Sequence, residues 1–353
     1  SIGAFKPSVM LGTYGMSKLA LIGLVRNLAA EFGPKGLRFN AICPGLVKTE
    51  FARELWDNPD VEKRIKNEIP LRRLGEAEDF AGLAVFLASA MELKDKIIVI
   101  TGAASGIGKA MAIRFAAEGA KKVVCVDLNK EGAQAVADEI GGVAFGVNVG
   151  VEQEIADMID AVENDIGPID LFCSNAGILI AGGMEVPNED WQRIWDINVM
   201  AHVWAARHLV PRMTERGGGY LLNTASAAGL LNQVGCAPYG VTKHAAVAVA
   251  EWLAMSHGDD GIKVSVLCPQ AVRSEMTRGH EDSVAALDGL LEAEPVAEAC
   301  LETIRNETFL VLPHPQVLEY MRKKTENYDR WIGGMRKLHR MYGDRRNPQG
   351  NVS

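Results

Sequence analysis

A tyrosine and a lysine four residues apart occur twice in this chain, as YGMSK at 14–18 and YGVTK at 239–243. On a helix, Tyr239 and Lys243 would share one face. An ammonium group beside a phenol favours the phenolate, so Lys243 is expected to lower the Tyr239 pKa from its ordinary value of about 10. Such a phenol can act as a general acid or base. Ser226 ends a strand-like run 13 residues earlier, and its hydroxyl could bond the same substrate oxygen. A lone Tyr-x-x-x-Lys is usually only an exposed helix pair, but the serine at the same spacing in both copies favours chemistry.

A glycine-rich run, TGAASGIG at 101–108, separates a strand-like run from a helix-like one. Gly102, Gly106 and Gly108 permit a tight turn, and the free N–H groups of the following helix N-terminus can hold a pyrophosphate. Glycines alone are weak evidence, because ordinary turns contain them too. Asp127 ends the next strand-like run, 19 residues after Gly108. A carboxylate there can accept both ribose hydroxyls of NAD and would repel the 2′-phosphate of NADP.

Strand-like and helix-like segments alternate from Met91 onwards, and this alternation predicts how these groups are positioned. It is typical of an α/β fold with a doubly wound parallel sheet covered by helices on both faces. The strand-like runs lie at 93–100, 121–128, 142–149, 169–177, 220–226, 262–269 and 309–313. The main helix-like stretches lie at 151–165, 188–213, 239–257 and 316–341.

The first 90 residues contain a partial repeat of the rest. With a shift of 225 positions, 14 of the 51 residues from Ser1 are identical to those from Ser226, without a gap. We therefore predict two parts: a partial copy, 1–90, without a dinucleotide site, and a complete copy, 91–353. Because the chain starts with Ser1 rather than Met, we expect it to begin inside a longer reading frame or at a trimmed end.

The chain from residue 91 resembles the short-chain dehydrogenase/reductase family along its whole length. The resemblance is carried by TGAASGIG, NAG at 175–177, Asn198 in WDIN, Ser226 and YGVTK. It implies a seven-stranded, Rossmann-type doubly wound sheet and hydride transfer between a nicotinamide and an alcohol or ketone. Residues 1–90 resemble the C-terminal half of the same family, beginning at its catalytic serine.

The resemblance also implies a role for each motif residue. Tyr239 would be the acid/base, Ser226 would orient the substrate oxygen, and Asn198 would hold a water in a proton relay. Lys243 would bind the nicotinamide ribose and lower the Tyr239 pKa, and Asn175 would lie under the adenosine ribose. The residues implied to bind NAD are Gly102, Ser105, Gly106, Ile107, Gly108, Asp127, Asn148, Val149, Asn175, Ala176, Gly177, Tyr239, Lys243 and Ser274.

Two positions depart from the family pattern. Asn148 stands where an aspartate is usual, although it can still accept a bond from the adenine amino group. Gln270 replaces the glycine that usually follows the proline after the sixth strand, whereas the first copy keeps Gly45. A glutamine there would stiffen or displace the loop over the nicotinamide. Further along that loop, the Ser274 hydroxyl could bind the carboxamide.

The bulk composition narrows the function classes. A net charge of −8 argues against a nucleic-acid surface, which needs an excess of lysine and arginine. No apolar run approaches the roughly 20 residues that span a bilayer, so no membrane partner is expected. Six widely spaced cysteines are typical of buried thiols in a reducing compartment, which predicts a cytoplasmic protein. The seven histidines show no metal-ligand spacing, so we expect no metal.

These patterns predict that 91–353 is an NAD-dependent oxidoreductase of a secondary alcohol or ketone. The substrate is expected to be apolar, because the flanking segments 178–184 and 229–238 are mostly apolar. The alternatives are a non-catalytic protein that binds a dinucleotide or a partner, and an isomerase or dehydratase. The resemblance implies a homo-oligomer paired through two long helices. The basic tail at 316–341 is expected to be a solvated helix.

Residues 1–90 contain an apolar helix-like segment, 14–31, and a strand-like run, LRFNAICP at 37–44, that require a sheet. So short a piece buries too little surface to fold alone. It could be disordered, complete a sheet supplied from upstream, or pack through helix 14–31 on the helical pairing surface of 91–353. The last is favoured, because that helix is the pairing element in the resembled family.

Overall fold

Two units make up the chain, Ser1–Ala90 and Met91–Ser353, and each is described by itself. The computed structural model describes residues 5, 12–32, 39–69, 71–80, 91–279 and 284–343. Ser1, which the repeat aligns with Ser226, lies outside the described residues, as does the segment 81–90.

The larger unit is built on seven parallel strands in the order β3-β2-β1-β4-β5-β6-β7. Their bounds are β1 Ile97–Thr101, β2 Lys122–Asp127, β3 Val143–Gly146, β4 Leu171–Ser174, β5 Gly219–Thr224, β6 Ile262–Leu267 and β7 Leu310–Val311. In the centre, Ile98 pairs with Val123 of β2 and with Leu171 of β4. The strand order reverses between β1 and β4, and a crevice at such a point is where open α/β sheets bind ligands. The predicted doubly wound sheet is confirmed.

Helices cover both faces of this sheet. One face carries α4 Gly106–Ala117, α5 Lys130–Ile140 and α11 Ala293–Asn306, and the other carries α6 Glu152–Asp165, α8 Ala201–Glu215 and α10 Ala237–His257. Shorter helices are α7 Asn188–Trp195 and α9 Ala228–Leu231, and the C-terminal pair is α12 Gln316–Glu326 and α13 Tyr328–Tyr342. Within β1, Val99 packs on one face while Ile98 and Ile100 pack on the other. Burial on both faces explains why the strands are continuous apolar runs.

The described part of the smaller unit holds three α-helices: α1 Gly12–Phe32, α2 Arg53–Trp56 and α3 Pro59–Glu68. The predicted helix at 14–31 therefore forms within α1. Only Ile22 of α1 is buried, while Leu19, Leu21 and Leu24 are exposed. The predicted strand at 37–44 is wrong over its described part, since residues 39–44 form no strand. The described residues of this unit contain no strand that could pair with it.

Candidate active site

The glycine-rich turn between β1 and α4 has a shape that only glycine allows. Gly102 and Gly106 have φ angles of 69° and 52°, in the left-handed region. A Cβ on Gly108 would lie 2.0 Å from the Gly102 carbonyl oxygen, so a side chain there would push the turn open. The first N–H groups of α4, which begins at Gly106, have no partners within the helix and can receive a pyrophosphate.

Asp127 lies at the end of β2, beside this turn. Its Oδ2 accepts the Ala104 N–H at 3.0 Å, and its Oδ1 accepts the Asn129 N–H at 2.9 Å. A carboxylate offers about four lone-pair positions, so acceptor capacity remains for two ribose hydroxyls. The turn and this carboxylate together fit the pyrophosphate and adenosine ribose of a dinucleotide.

Asn148 and Ser274 both line the cavity that this turn borders. The Asn148 Oδ1 accepts the Gly150 N–H at 3.0 Å, so only part of its capacity is left for an adenine amino group. The Ser274 Cβ lies 3.3 Å from the position that a Cβ on Gly106 would take. Ser274 therefore lies directly against the glycine turn.

Asn175 follows β4 and ties three strand ends together. Its Nδ2 donates to the Thr101 carbonyl oxygen at 3.0 Å, and its Oδ1 accepts from the Thr224 hydroxyl at 3.1 Å. The Asn175 side chain is therefore used in shaping the sheet edge. Our reading of the sequence missed Thr101 and Thr224, although a polar residue that ends a buried strand at this edge is a usable signal.

Tyr239 and Lys243 lie on α10, with the Lys243 Nζ 5.7 Å from the centre of the Tyr239 ring. Lys243 is 2% exposed, and its Nζ donates to the Thr224 carbonyl oxygen at 3.0 Å. Burial lowers the pKa of Lys243 to about 8. An ammonium has three donors, and the single hydrogen bond that the structure records leaves two for ribose hydroxyls.

Ser226 lies just after β5. Its Oγ accepts the Ala228 N–H at 3.1 Å and donates to the Pro269 carbonyl oxygen at 3.3 Å. It also acts on Tyr239: burial raises the pKa of the Tyr239 phenol, and the Ser226 hydroxyl partly lowers it. We expected a lowered Tyr239 pKa, but in this structure the pKa is raised, because desolvation of the phenolate outweighs the hydrogen bond from Ser226.

Asn198 lies in a π-helical segment, Asp196–Met200, that interrupts the predicted helical stretch 188–213. Its Oδ1 accepts the Ile178 N–H and its Nδ2 donates to the Ile178 carbonyl oxygen, both at 2.9 Å. The Nδ2 also donates to the Thr242 hydroxyl at 3.3 Å. The Asn198 side chain is therefore held in place by Ile178 and Thr242. Single-turn π segments occur frequently at functional sites.

Below this cluster lies a buried histidine that our reading of the sequence did not single out. The His202 Nδ1 is 2.8 Å from the Ser174 Oγ, and the ring is 1% exposed. Burial, together with the nearby Lys243 charge, lowers the pKa of His202 to about 3. The ring is therefore neutral at physiological pH and adds no positive charge beneath the site.

The predicted residues converge on one cavity of about 1830 Å³. Gly108 and Asn198 do not line it: Gly108 packs behind the glycine turn, and Asn198 lies behind Gly177. Single small-ligand pockets usually measure about 300–1,000 Å³, so this cavity has room for a dinucleotide and a substrate. The basic tail is not simply solvated as expected, because Lys324 and one face of α13 line the cavity.

Gln270, the departure after β6, is tied to the C-terminal helices. Its Nε2 donates to Asp288 Oδ2 at 2.9 Å, and the Tyr320 hydroxyl donates to Asp288 Oδ1 at 2.9 Å. Its backbone N–H donates to the His314 Nδ1 at 3.2 Å. The glutamine therefore anchors the start of the loop that carries Ser274.

Two features that the described residues lack bear on function. They contain no group of three or more His, Cys, Asp or Glu side chains that could hold a metal ion. None of the helices they form is both long and apolar enough to cross a membrane.

Comparison with known proteins gives the same picture for both parts of the chain. The family profile described as short chain dehydrogenase matches residues 96–284. A related profile, described as Enoyl-(Acyl carrier protein) reductase, matches residues 1–93, which supports a partial first copy.

Individual relatives are dehydrogenases. The chain is 36% identical over 192 residues to meso-2,3-butanediol dehydrogenase of Serratia marcescens, covering 54% of this chain and 76% of that protein. It is 34% identical over 231 residues to 1-deoxy-11-beta-hydroxypentalenate dehydrogenase of Streptomyces exfoliatus, covering 62% of this chain and 83% of that protein.

Solved structures agree with this assignment. A short-chain dehydrogenase/reductase of Burkholderia phymatum in complex with NAD aligns with a TM-score of 0.63 at 27% identity, covering 74% of this chain and 99% of that one. A 3-ketoacyl-(acyl-carrier-protein) reductase of Brucella melitensis complexed with NADH aligns with a TM-score of 0.58 at 31% identity, covering 62% and 96%. The chain therefore belongs to the short-chain dehydrogenase/reductase family, as an alcohol/ketone oxidoreductase that uses a nicotinamide dinucleotide.

Proposed function

We propose that this protein interconverts a secondary alcohol that has an apolar body and its ketone, with NAD(H) as the cofactor. The observation that carries the proposal is the meeting of Ser226, Tyr239 and Lys243 with the glycine turn and Asp127 around one cavity. A protein that only binds a dinucleotide has no need of the proton-transferring group that Tyr239 provides.

A nicotinamide bound in the cavity would accept or supply the hydride. Ser226 and Tyr239 then hold the substrate oxygen, and the Tyr239 hydroxyl gives its proton to that oxygen during ketone reduction. Because burial raises the Tyr239 pKa, the phenol is protonated at neutral pH and is ready to act as the acid. Alcohol oxidation needs the phenolate, so its rate should rise with pH above neutrality, whereas ketone reduction should not.

Lys243 and Asn198 support this chemistry from behind. The two remaining donors of the Lys243 ammonium would hold the nicotinamide ribose, and Asn198 would hold a water that takes part in proton transfer. A Cβ on Gly177 would lie 3.1 Å from the Asn198 Oδ1 and 3.3 Å from the Lys243 Nζ. Gly177 therefore leaves the space in which a ribose can approach Lys243.

The first test is absorbance of NADH with a panel of apolar ketones and secondary alcohols. Turnover that depends on the substrate supports the proposal. A cofactor that binds without being consumed would instead support the non-catalytic alternative, or an isomerase or dehydratase.

Cofactor choice is the second test. The Asp127 carboxylate would face the 2′-phosphate of NADP, and like charges in contact cost several kcal/mol, so NAD should be preferred roughly 100-fold or more in kcat/KM. Asp127→Asn removes the charge and keeps an acceptor, so it should reduce that preference. Comparable efficiency of the unchanged protein with both cofactors would contradict the assignment.

The family expectation of a homo-oligomer also has a candidate surface. An apolar groove on α8 and α10 is lined by Val203, Val210, Val249 and Trp252, and Trp252 is 57% exposed. We propose that copies of the chain pair through these helices. Light scattering of the full chain, with Trp252→Arg as the variant, measures the oligomeric state directly.

A further inference from the structure

The C-terminal helix α13 presents a single face to the cavity. The cavity-lining residues of α13 recur every three or four positions, which is the spacing of one helix face. They are Tyr328, Trp331, Ile332, Met335, Arg336, His339, Arg340 and Tyr342. The helix therefore forms one wall of the cavity, and its side chains on this face can contact a ligand bound there.

The two ends of this face differ in character. Tyr328, Trp331, Ile332 and Met335 are apolar or aromatic and come first, and the basic side chains follow in the second half of the helix. The cavity lining includes further apolar side chains, such as Leu231, and Trp331 packs against the cluster that contains it. A ligand along α13 would thus meet apolar side chains first and positive charge at the far end.

No ion pair with a described residue neutralises the positive charge at the far end of α13. Among the described residues, Arg336 and Arg340 make no ion pair, although both line the cavity. Two of the acidic side chains that line the cavity already have partners. Glu185 accepts the Gly183 N–H at 2.9 Å, and Glu275 is paired with Arg278.

The helix is also held loosely enough to adjust to a ligand. None of the α13 residues is buried. Gly333 and Gly334 lie in its middle, and a Cβ on either would meet nothing within 4 Å, so neither glycine is there to avoid a clash. Glycine in a helix interior weakens the helix. The α12 side is fixed, since the Lys324 Nζ donates to the Leu230 carbonyl oxygen at 2.6 Å.

We propose that the substrate carries an anionic group, a carboxylate or a phosphate, remote from the reacting carbon, and that Arg336 and Arg340 bind this group as α13 closes over the apolar body. The inference rests on the proposed function for its reacting end. Guanidinium groups suit both anions, because their planar fork matches paired oxygens.

The experiment uses the full chain with NADH and matched methyl ketones of increasing length. Each length is supplied with a terminal carboxylate, a terminal phosphate or a terminal methyl ester. For one chain length, an anionic ketone should show a KM roughly 10- to 100-fold below that of the ester, because a hydrogen bond to a charged group changes affinity by about that factor. The double variant Arg336→Ala/Arg340→Ala should bring this ratio close to one.

A matched control exists on the same helix. Arg330 and Lys337 carry the same charge on α13 but do not line the cavity. The variant Arg330→Ala/Lys337→Ala removes the same charge from the helix but should keep the full anion preference, because these side chains do not line the cavity. The ketone with the lower KM, carboxylate or phosphate, identifies which of these two groups the natural substrate carries.

Three results would overturn the inference: no preference for either anion over the ester, a preference that survives Arg336→Ala/Arg340→Ala, or equal loss in the control variant. Titration calorimetry of the same compounds, added to NADH-loaded protein, tests binding without turnover. If no ketone is reduced, the proposed function fails, while the calorimetric anion preference still decides the inference.

Discussion

Replacing His202 tests whether the buried ring is neutral in the folded protein. Its folded pKa is about 3, whereas an unfolded histidine has a pKa of about 6.5. The unfolded chain therefore binds an extra proton below about pH 6.5, and folding stability falls as the pH drops from there towards 3. Between pH 7.5 and pH 5 this linkage removes about 2 kcal/mol, while most carboxylates stay ionised.

The substitution His202→Asn removes the titrating group and can keep a hydrogen bond to Ser174. It should lower stability at pH 7.5, because it leaves space in a buried position. Its further loss between pH 7.5 and pH 5 should be about 2 kcal/mol smaller than that of the unchanged protein. The second buried histidine, His314, also has a lowered pKa, but it is present in both proteins and cancels in the difference.

Urea unfolding of the full chain at both pH values, followed by circular dichroism, gives the two free energies. His202→Gln serves as a second non-titrating variant of different shape and should reduce the loss by the same amount. Equal losses in the unchanged protein and both variants would refute the reasoning, since the folded ring would then titrate normally.

Three further predictions concern the working copy. Tyr239→Phe should lower kcat by about 10² to 10⁴ with little change in NADH affinity, whereas Tyr14→Phe should leave kinetics unchanged; a damaging Tyr14→Phe would show that the wrong copy was assigned. A chain shortened to 91–353 should keep full specific activity, with changes confined to melting temperature or oligomeric state; an inactive but folded, NADH-binding product would contradict this. Gln270→Gly should loosen the loop and raise KM for substrate more than it alters NADH binding, and unchanged substrate kinetics would argue against the anchoring role.

Local signals were enough for much of the fold and for the proposed site. The run IIVI in β1, the glycines after it and the YGVTK pair are short-range patterns, and each lies where the pattern predicts. Hydrogen-bond partners distant in the chain could not be predicted so well. Nothing in the sequence around Asn198 indicates that its side chain forms hydrogen bonds with the backbone of Ile178, which is 20 residues away.

Three of the misses have physical causes. The Tyr239 pKa depends on how far the fold removes water from the phenol. The spacing in the sequence indicates that a charged Lys243 is near, but it does not indicate this burial. The role of α13 depends on which surface meets its face, so a basic amphipathic helix looks the same whether it covers a site or faces solvent. At residues 39–44 the apolar pattern wrongly predicted a strand, because a strand needs a neighbouring strand to pair with and the described residues of this unit contain none.

The bonds that join Gln270, Asp288 and Tyr320 have a consequence for how such chains diverge. A glycine at position 270 would leave the Asp288 carboxylate with the Tyr320 hydroxyl alone, and phenylalanine at 320 would leave it with Gln270 alone. Each single replacement therefore removes one of the two hydrogen bonds to the partly buried Asp288 carboxylate. Replacing all three residues together leaves no carboxylate without its partners. Positions 270, 288 and 320 should therefore co-vary among relatives in which the loop after β6 is anchored differently.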